Sequence, residues 1–173
     1  MSRRPLDPIP TSVVDQAWED VAAIPLSKIP MEMEKAAREQ PDLLAFILGA
    51  TEGMTAGVGE LAGFIYIVIW RAFRRETRGK RKPISGAAIQ GKLMANEDAL
   101  IALDGLDPQS SEAPSVESLT SQPALLQYVF EAIAEAEEDE NQPVQMSPEE
   151  KGSLILLLKT AIDVLDDVRN EAN

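Results

Sequence analysis

Apolar residues recur at helical spacing near the end of the chain. A period close to 3.6 residues predicts an amphipathic helix with one buried face. The preceding Ser147-Pro148-Glu149-Glu150 supplies a capping serine, a proline at the first helical position and a glutamate at the third. We therefore predict a helix over residues 148–168. Its apolar positions are Leu154, Leu158, Ala161, Ile162, Leu165 and Val168.

Similar signals predict helices along most of the chain. Ser12 and Asp15 have the spacing of a capping box and predict a helix that ends at Pro25. Another helix is predicted over residues 85–103, and residues 107–122, rich in Ser, Pro, Glu and Gln, predict a loop. Three prolines mark further helix starts, because proline suits the first turn of a helix. These are Pro30, Pro41 and Pro123.

The most apolar segment, residues 61–70, is open to two interpretations. Residues 64–70 are rich in β-forming residues, yet no partner strand is predicted nearby, so a buried helix is favoured. The glycines between Gly49 and Gly63 fit a loop, a kinked helix or a close helix crossing. Membrane association through residues 53–75 is a further alternative. Glu60 interrupts that segment, and the uninterrupted apolar run is shorter than a membrane span.

Two stretches that lie 82 residues apart share one pattern. Residues 40–44 read Gln-Pro-Asp-Leu-Leu and residues 122–126 read Gln-Pro-Ala-Leu-Leu, each followed in register by an aromatic and a β-branched residue. Residues 17–21 resemble residues 95–99 at an offset of 78, and the apolar runs after Glu60 and Glu150 match at an offset of 90. This order predicts an internal repeat, although the shared motif is also a common helix start.

Together these patterns predict an all-α fold, a helical bundle of about seven helices in two tandem related halves. Residues 1–10 are predicted to be an irregular N-terminal arm. The first half, with a basic linker, spans residues 11–82, and the second, acidic half spans residues 83–173. We expect the two halves to share one compact domain.

Composition removes several function classes. The chain has no Cys and no His, which excludes disulfides, thiol catalysis, Ser-His-Asp triads and metal sites that need His. The formal net charge of −13 disfavours nucleic acid as a partner. No apolar segment follows Arg3 and Arg4, so we expect a cytoplasmic protein without a secretory signal.

Four acidic residues form the candidate metal site. Glu135 and Glu138 share one helix face, as do Asp163 and Asp166, so four carboxylates could converge on Mg²⁺. The pattern resembles the metal site of the all-α nucleotide pyrophosphohydrolases of the MazG type, in which glutamate is preferred at the position of Asp163. The resemblance implies a Mg²⁺-dependent hydrolase. The other interpretation is a solvated acidic face without a cofactor.

The segregated charge marks two candidate partner-binding surfaces. Residues 71–92 hold 8 basic residues and 1 acidic residue, whereas residues 93–173 hold 18 acidic and 3 basic residues. The basic surface consists of Arg71, Arg74, Arg75, Arg78 and Arg81, and the acidic one of Asp166 and Asp167.

In the absence of a catalytic motif, the sequence favours a non-enzymatic adaptor or inhibitor-type protein. Its expected partner is a protein of basic character that meets the acidic surface and the helix faces. Opposite charges at equivalent helix ends also raise the hypothesis of a homo-oligomer. A Mg²⁺-dependent hydrolase and a membrane-associated protein stand as the alternatives.

Overall fold

A computed structural model describes residues 4–104 and 116–172. Within these ranges the chain forms eight α-helices, one short 3-10 helix at Leu26–Lys28 and no strand, which confirms the predicted all-α class. The helices are α1 (Thr11–Ala22), α2 (Ile29–Glu39), α3 (Pro41–Thr51), α4 (Val58–Glu76), α5 (Gly86–Asp104), α6 (Val116–Leu119), α7 (Pro123–Glu138) and α8 (Pro148–Ala172).

Helices α4 and α8 lie at the centre of the bundle and contact each other. The apolar segment 64–70 belongs to α4, so the helical interpretation is correct and the strand alternative is wrong. Tyr66, Trp70 and Phe73 are among the largest fully buried side chains. Because helix α4 is apolar on most sides, it can be covered by other helices around much of its circumference. No described helix combines the length and apolarity needed to cross a membrane.

Helix α8 begins as predicted. The backbone N–H of Glu150 donates to Ser147 Oγ (3.1 Å), and the Ser147 N–H donates to Glu150 Oε2 (3.1 Å), which completes a capping box. Glu150 also accepts hydrogen bonds from the Thr55 N–H (2.7 Å) and the Thr55 hydroxyl. The two backbone N–H groups, of Thr55 and Ser147, hold the pKa of the Glu150 carboxyl below its usual value. Glu150 thus joins the turn before α4 to the start of α8.

This capping arrangement predicts a pH-dependent contribution to stability. Since the folded-state pKa of Glu150 is lowered, its stabilising effect is present above the unfolded pKa, near 4.5, and is lost as the pH falls through the folded value. Glu150→Gln should therefore lower the free energy of unfolding at pH 7, and the difference from wild type should shrink toward pH 3. Urea denaturation across this range measures it, with Glu149→Gln as the exposed control. A difference that stays constant with pH would contradict this role.

Helix α1 starts differently from the prediction. It begins at Thr11 with Pro10 as its N-cap, and no side chain caps it, so the capping box predicted from Ser12 and Asp15 is wrong. The residue before the N-cap is held by a distant part of the chain. Ile9 is buried, and its N–H donates to Gln122 Oε1 (2.8 Å), which fixes the chain just before the helix.

The glycine-rich segment combines two of the predicted possibilities. Helix α3 ends at Thr51, and Gly53 and Gly57 adopt left-handed φ angles of +91° and +92° in the turn that follows. Gly63 instead lies buried within α4, where a Cβ would stand 3.4 Å from Met33 Cε and 3.8 Å from Leu48 Cδ2. The segment is therefore a loop followed by a close helix contact.

Gln40 and Gln122 perform equivalent structural tasks. Each is the N-cap of a helix that starts with proline, and the two have nearly identical backbone angles, φ −136° and ψ 69° against φ −129° and ψ 69°. Both are 1% exposed. Gln40 Oε1 accepts from the Ile84 N–H (2.8 Å), as Gln122 Oε1 accepts from the Ile9 N–H. Each glutamine thus holds the chain just before the first helix of the opposite predicted half.

Helix contacts show the same reciprocity. The contact of α1 with α4 corresponds to that of α5 with α8, and α1 with α7 corresponds to α5 with α3. Likewise α4 contacts α7 and α8 contacts α3. Two related halves would produce this pattern, so it supports the duplication, which stays a prediction. Buried Val14 and Ile89 are each the fourth residue of their helix, α1 and α5.

The predicted loop at residues 107–122 is only partly visible. Residues 107–115 lie outside the described part of the chain, whereas residues 116–119 form α6. The predicted arm is non-helical over residues 4–10, and residues 1–3 lie outside the described part.

Candidate functional site

The four carboxylates of the predicted metal site are not brought together. Helices α7 and α8 are antiparallel: Gln122, just before α7, bonds to Asp166 near the end of α8, while Glu137 near the end of α7 pairs with Lys151 (2.6 Å). Glu135 lies 13 residues beyond Gln122, roughly 20 Å along the helix. Accordingly, the described residues contain no group of three or more acidic side chains that could hold a metal ion.

Asp163 belongs to a polar network between α5 and α8. Its carboxylate accepts from Lys159 Nζ (2.6 Å) and from Asn96 Nδ2 (3.0 Å), and Lys159 also donates to Asn96 Oδ1 (2.8 Å). Asn96 is buried and donates to the Thr160 hydroxyl as well. The Asp163 carboxylate therefore has a structural role, because it links α5 to α8.

Asp166 and Asp167 occupy opposite environments although they are adjacent. Asp166 is 5% exposed and accepts hydrogen bonds from Ser121 Oγ (2.7 Å) and Gln122 Nε2 (2.8 Å), with Arg169 Nη1 at 3.4 Å. Its burial contradicts the prediction that it binds a partner. Asp167 is exposed and pairs with Lys92 (2.9 Å), and this hydrogen bond raises the pKa of Lys92.

The basic surface is largely neutralised within the protein. Arg71 pairs with Glu32 on α2 (2.7 Å), and Arg75 pairs with Asp20 on α1. Burial opposes ionisation of Glu32, but hydrogen bonds from Lys35 and Arg71 outweigh it and keep the pKa of Glu32 below its usual value. The first half thus supplies its own acids to these arginines.

The remaining arginines divide into engaged and exposed ones. Arg81 pairs with Glu39 (2.7 Å), and Arg74 lies 3.8 Å from Glu39 and stacks over Trp70 at 5.2 Å from the ring centroid. Arg78 is exposed and forms no ion pair with a described residue. Four of the five arginines in the predicted partner-binding surface are therefore already paired with acidic residues of the protein.

A wide groove, absent from the sequence predictions, is the candidate functional site. It has a volume of about 1130 Å³ and lies between the α1–α2 connection, the first turns of α4 and the α7–α8 connection. Apolar side chains supply most of its surface; Leu26 is 90% accessible, Leu48 is 39% accessible, and Met33, Leu61, Phe64 and Val144 are half-buried. Prominent lining residues are Leu26, Met33, Leu48, Leu61, Phe64 and Val144.

Every charged residue that lines the groove is acidic. These residues are Glu32, Glu60 and Asp139. Glu32 is neutralised by Lys35 and Arg71, whereas Glu60 is exposed and forms no ion pair within the described chain. Asp139 is exposed, and backbone N–H groups of Gln142 and Asn141 lower its pKa, so it remains ionised at neutral pH. The groove is therefore an apolar surface with a negative edge.

Two small residues of α4 contribute to the lining of the groove. Gly59 and Gly63 both line it, one helical turn apart, and the position of a Cβ at Gly59 would meet only Thr51 Oγ1, at 3.5 Å. In the sequence, the glycine-rich segment before the apolar run was the feature that could have pointed to this surface. Nothing in the local pattern marks Leu26 or Val144, which reach the groove from distant parts of the chain.

The chain was compared with protein families, curated proteins and solved structures. No protein-family model, no curated protein and no solved structure matches the chain.

Proposed function

We propose that the protein is a non-enzymatic interaction protein, an adaptor or inhibitor, that binds a partner protein in this groove. The observation that carries the proposal is the open apolar lining of the groove combined with charged residues of a single, negative sign. Contiguous exposed apolar surface with a polar edge is characteristic of protein-binding sites, since leaving it in water is unfavourable.

The charge of the whole chain supports a basic partner. A net charge of −13 creates a field that accelerates encounter with positively charged proteins and slows encounter with acidic ones. The arginines of α4 are paired with acidic residues of the protein, so α4 presents no free basic cluster that would repel such a partner. Long-range attraction would bring the partner to the surface, and burial of apolar side chains in the groove would provide most of the affinity.

A pair of matched substitutions tests this proposal. Leu26→Glu places a charge in the groove. Leu100→Glu makes the same change at an exposed position of α5, outside the groove. Both leucines are at least half exposed, so neither change should unfold the protein. We expect Leu26→Glu to weaken retention of the partner from an extract of the native cell at least about tenfold, and Leu100→Glu to leave it unchanged.

Retention alone would not support the proposal, because an acidic protein attracts basic proteins unspecifically. Support requires that the retained protein, once purified, binds the wild type directly and discriminates between the two variants. Equal retention by both variants would show that the groove is not the binding surface. Circular dichroism and thermal unfolding of each variant establish that the fold is intact.

A further inference from the structure

We infer that the part of the partner seated in the groove is an amphipathic α-helix that carries Lys or Arg beside its apolar face. This inference rests on the proposed function and specifies the chemistry of the partner. It follows from three properties: the size of the groove, the absence of a strand edge among the described residues and the sign of the charged residues in the lining.

The groove is large enough to receive a segment of a polypeptide. Pockets for small ligands have volumes of roughly 300–1000 Å³ and enclose most of the ligand with a few convergent polar groups. This groove has a volume of about 1130 Å³, at the upper limit of that range, and is lined by residues from separate helices and turns. It therefore resembles a surface that receives a segment of another protein.

The absence of sheet edges favours a helical segment. An extended peptide must replace the water lost by its backbone N–H and C=O groups, and it usually does so by joining the edge of a sheet. Over residues 4–104 and 116–172 there is no strand to offer such an edge. A helix satisfies its own backbone hydrogen bonds, so it can lie against apolar side chains without this cost.

The small residues of α4 permit a close approach. Gly59 and Gly63 lie on one side of that helix, and the Met33 side chain that covers Gly63 is unbranched and flexible. A partner helix could contact Gly59, while Met33, which covers the buried Gly63, adjusts to its side chains. Leu26 and Phe64 would then contact the apolar face of the partner.

The acidic residues predict where the partner is basic. Glu60, in the first turn of α4, and Asp139, after α7, are the lining carboxylates that lack a cationic side chain among the described residues. A Lys or Arg of the partner that flanks its apolar face would pair with them. Such edge pairs contribute modestly to affinity but strongly to selectivity.

Designed peptides test the inference directly. One peptide of about 15 residues, long enough to form a helix, combines Leu on one face with Lys on the other. A second has the same composition in an order that abolishes the amphipathic face, and a third replaces Lys by Glu. Binding of each labelled peptide to the full-length protein is measured by fluorescence anisotropy at physiological ionic strength. Only the first peptide is expected to bind.

Two matched pairs of variants locate the binding. Glu60→Lys should raise the Kd of the first peptide about fivefold, whereas Glu97→Lys, the same charge change at an exposed position on α5, should alter it less than about twofold. Gly59→Leu enlarges a residue that lines the groove and should raise the Kd about tenfold or more. Gly91→Leu, on α5 with open space around it, should leave the Kd unchanged.

Several results would overturn the inference. Equal effects of Glu60→Lys and Glu97→Lys would show attraction to overall charge, and equal binding of the rearranged peptide would exclude helix recognition. Self-association that is lost in Gly59→Leu but not in Gly91→Leu, measured by sedimentation, would assign the groove to a second copy of the chain. If the peptides fail while Leu26→Glu still releases the native partner, the proposed function stands and only the helical partner is wrong.

Discussion

Asp166→Ala is expected to lower the free energy of unfolding by about 3 kcal/mol. The carboxylate is 5% exposed and receives hydrogen bonds from Ser121, Gln122 and Arg169. Removing it would leave the buried amide of Gln122 without its acceptor and would take a carboxylate away from the buried guanidinium of Arg169. Buried donors that lose their partners are costly because they have already given up their hydrogen bonds to water.

The adjacent residue is a matched control. Asp167 is exposed, and its ion pair with Lys92 lies at the surface, so Asp167→Ala should change stability by less than about 1 kcal/mol. Urea denaturation of the two variants at pH 7 gives both values. Similar losses for the two variants would mean that the Asp166 contacts do not stabilise the fold. Such a result would reopen a functional role for Asp166 that its burial now argues against.

Gln122→Ala and Gln40→Ala are each expected to cost about 2 kcal/mol. The change at Gln122 removes the acceptor of the Ile9 N–H and a donor to Asp166. The change at Gln40 removes the acceptor of the Ile84 N–H and a donor to the Lys82 carbonyl. Because both sites are almost fully buried, water cannot readily replace the lost partners.

Chemical denaturation of Gln122→Ala and Gln40→Ala measures the free energy of unfolding that each variant loses. Gln127 is exposed on α7, and its side chain bonds to Glu131 among the described residues. Gln127→Ala should therefore change stability by less than about 0.5 kcal/mol. Comparable losses at Gln40 and Gln122 would agree with equivalent roles in two related halves. A large loss at one glutamine and none at the other would contradict that equivalence.

Features that depend on neighbouring residues were predictable from the sequence. The capping box and proline at residues 147–150 place the start of α8 correctly, and Pro41 and Pro123 correctly open α3 and α7. These signals act within one helical turn, so no knowledge of the fold is needed to interpret them. The start of α1 was predicted wrongly: no side chain caps it, and the residue before its N-cap bonds to Gln122, more than 100 residues away.

The candidate site was much less predictable, because it depends on how distant segments meet. The spacing of Glu135 and Glu138 correctly puts them on one helix face, but the antiparallel course of α7 and α8 keeps them away from Asp166. The arginines of α4 look free in the sequence, and only the packing of α1 and α2 shows their acidic partners. The groove likewise requires Leu26 and Val144 to approach α4.

The hydrogen bond from Ile9 to Gln122 also constrains the order of events during protein synthesis. Its two residues are 113 positions apart, and at about 5–20 residues per second the ribosome needs roughly 6–23 s to add the intervening chain. Throughout that interval the segment before α1 lacks this hydrogen bond. The first half therefore completes its structure only after much of the second half has been translated.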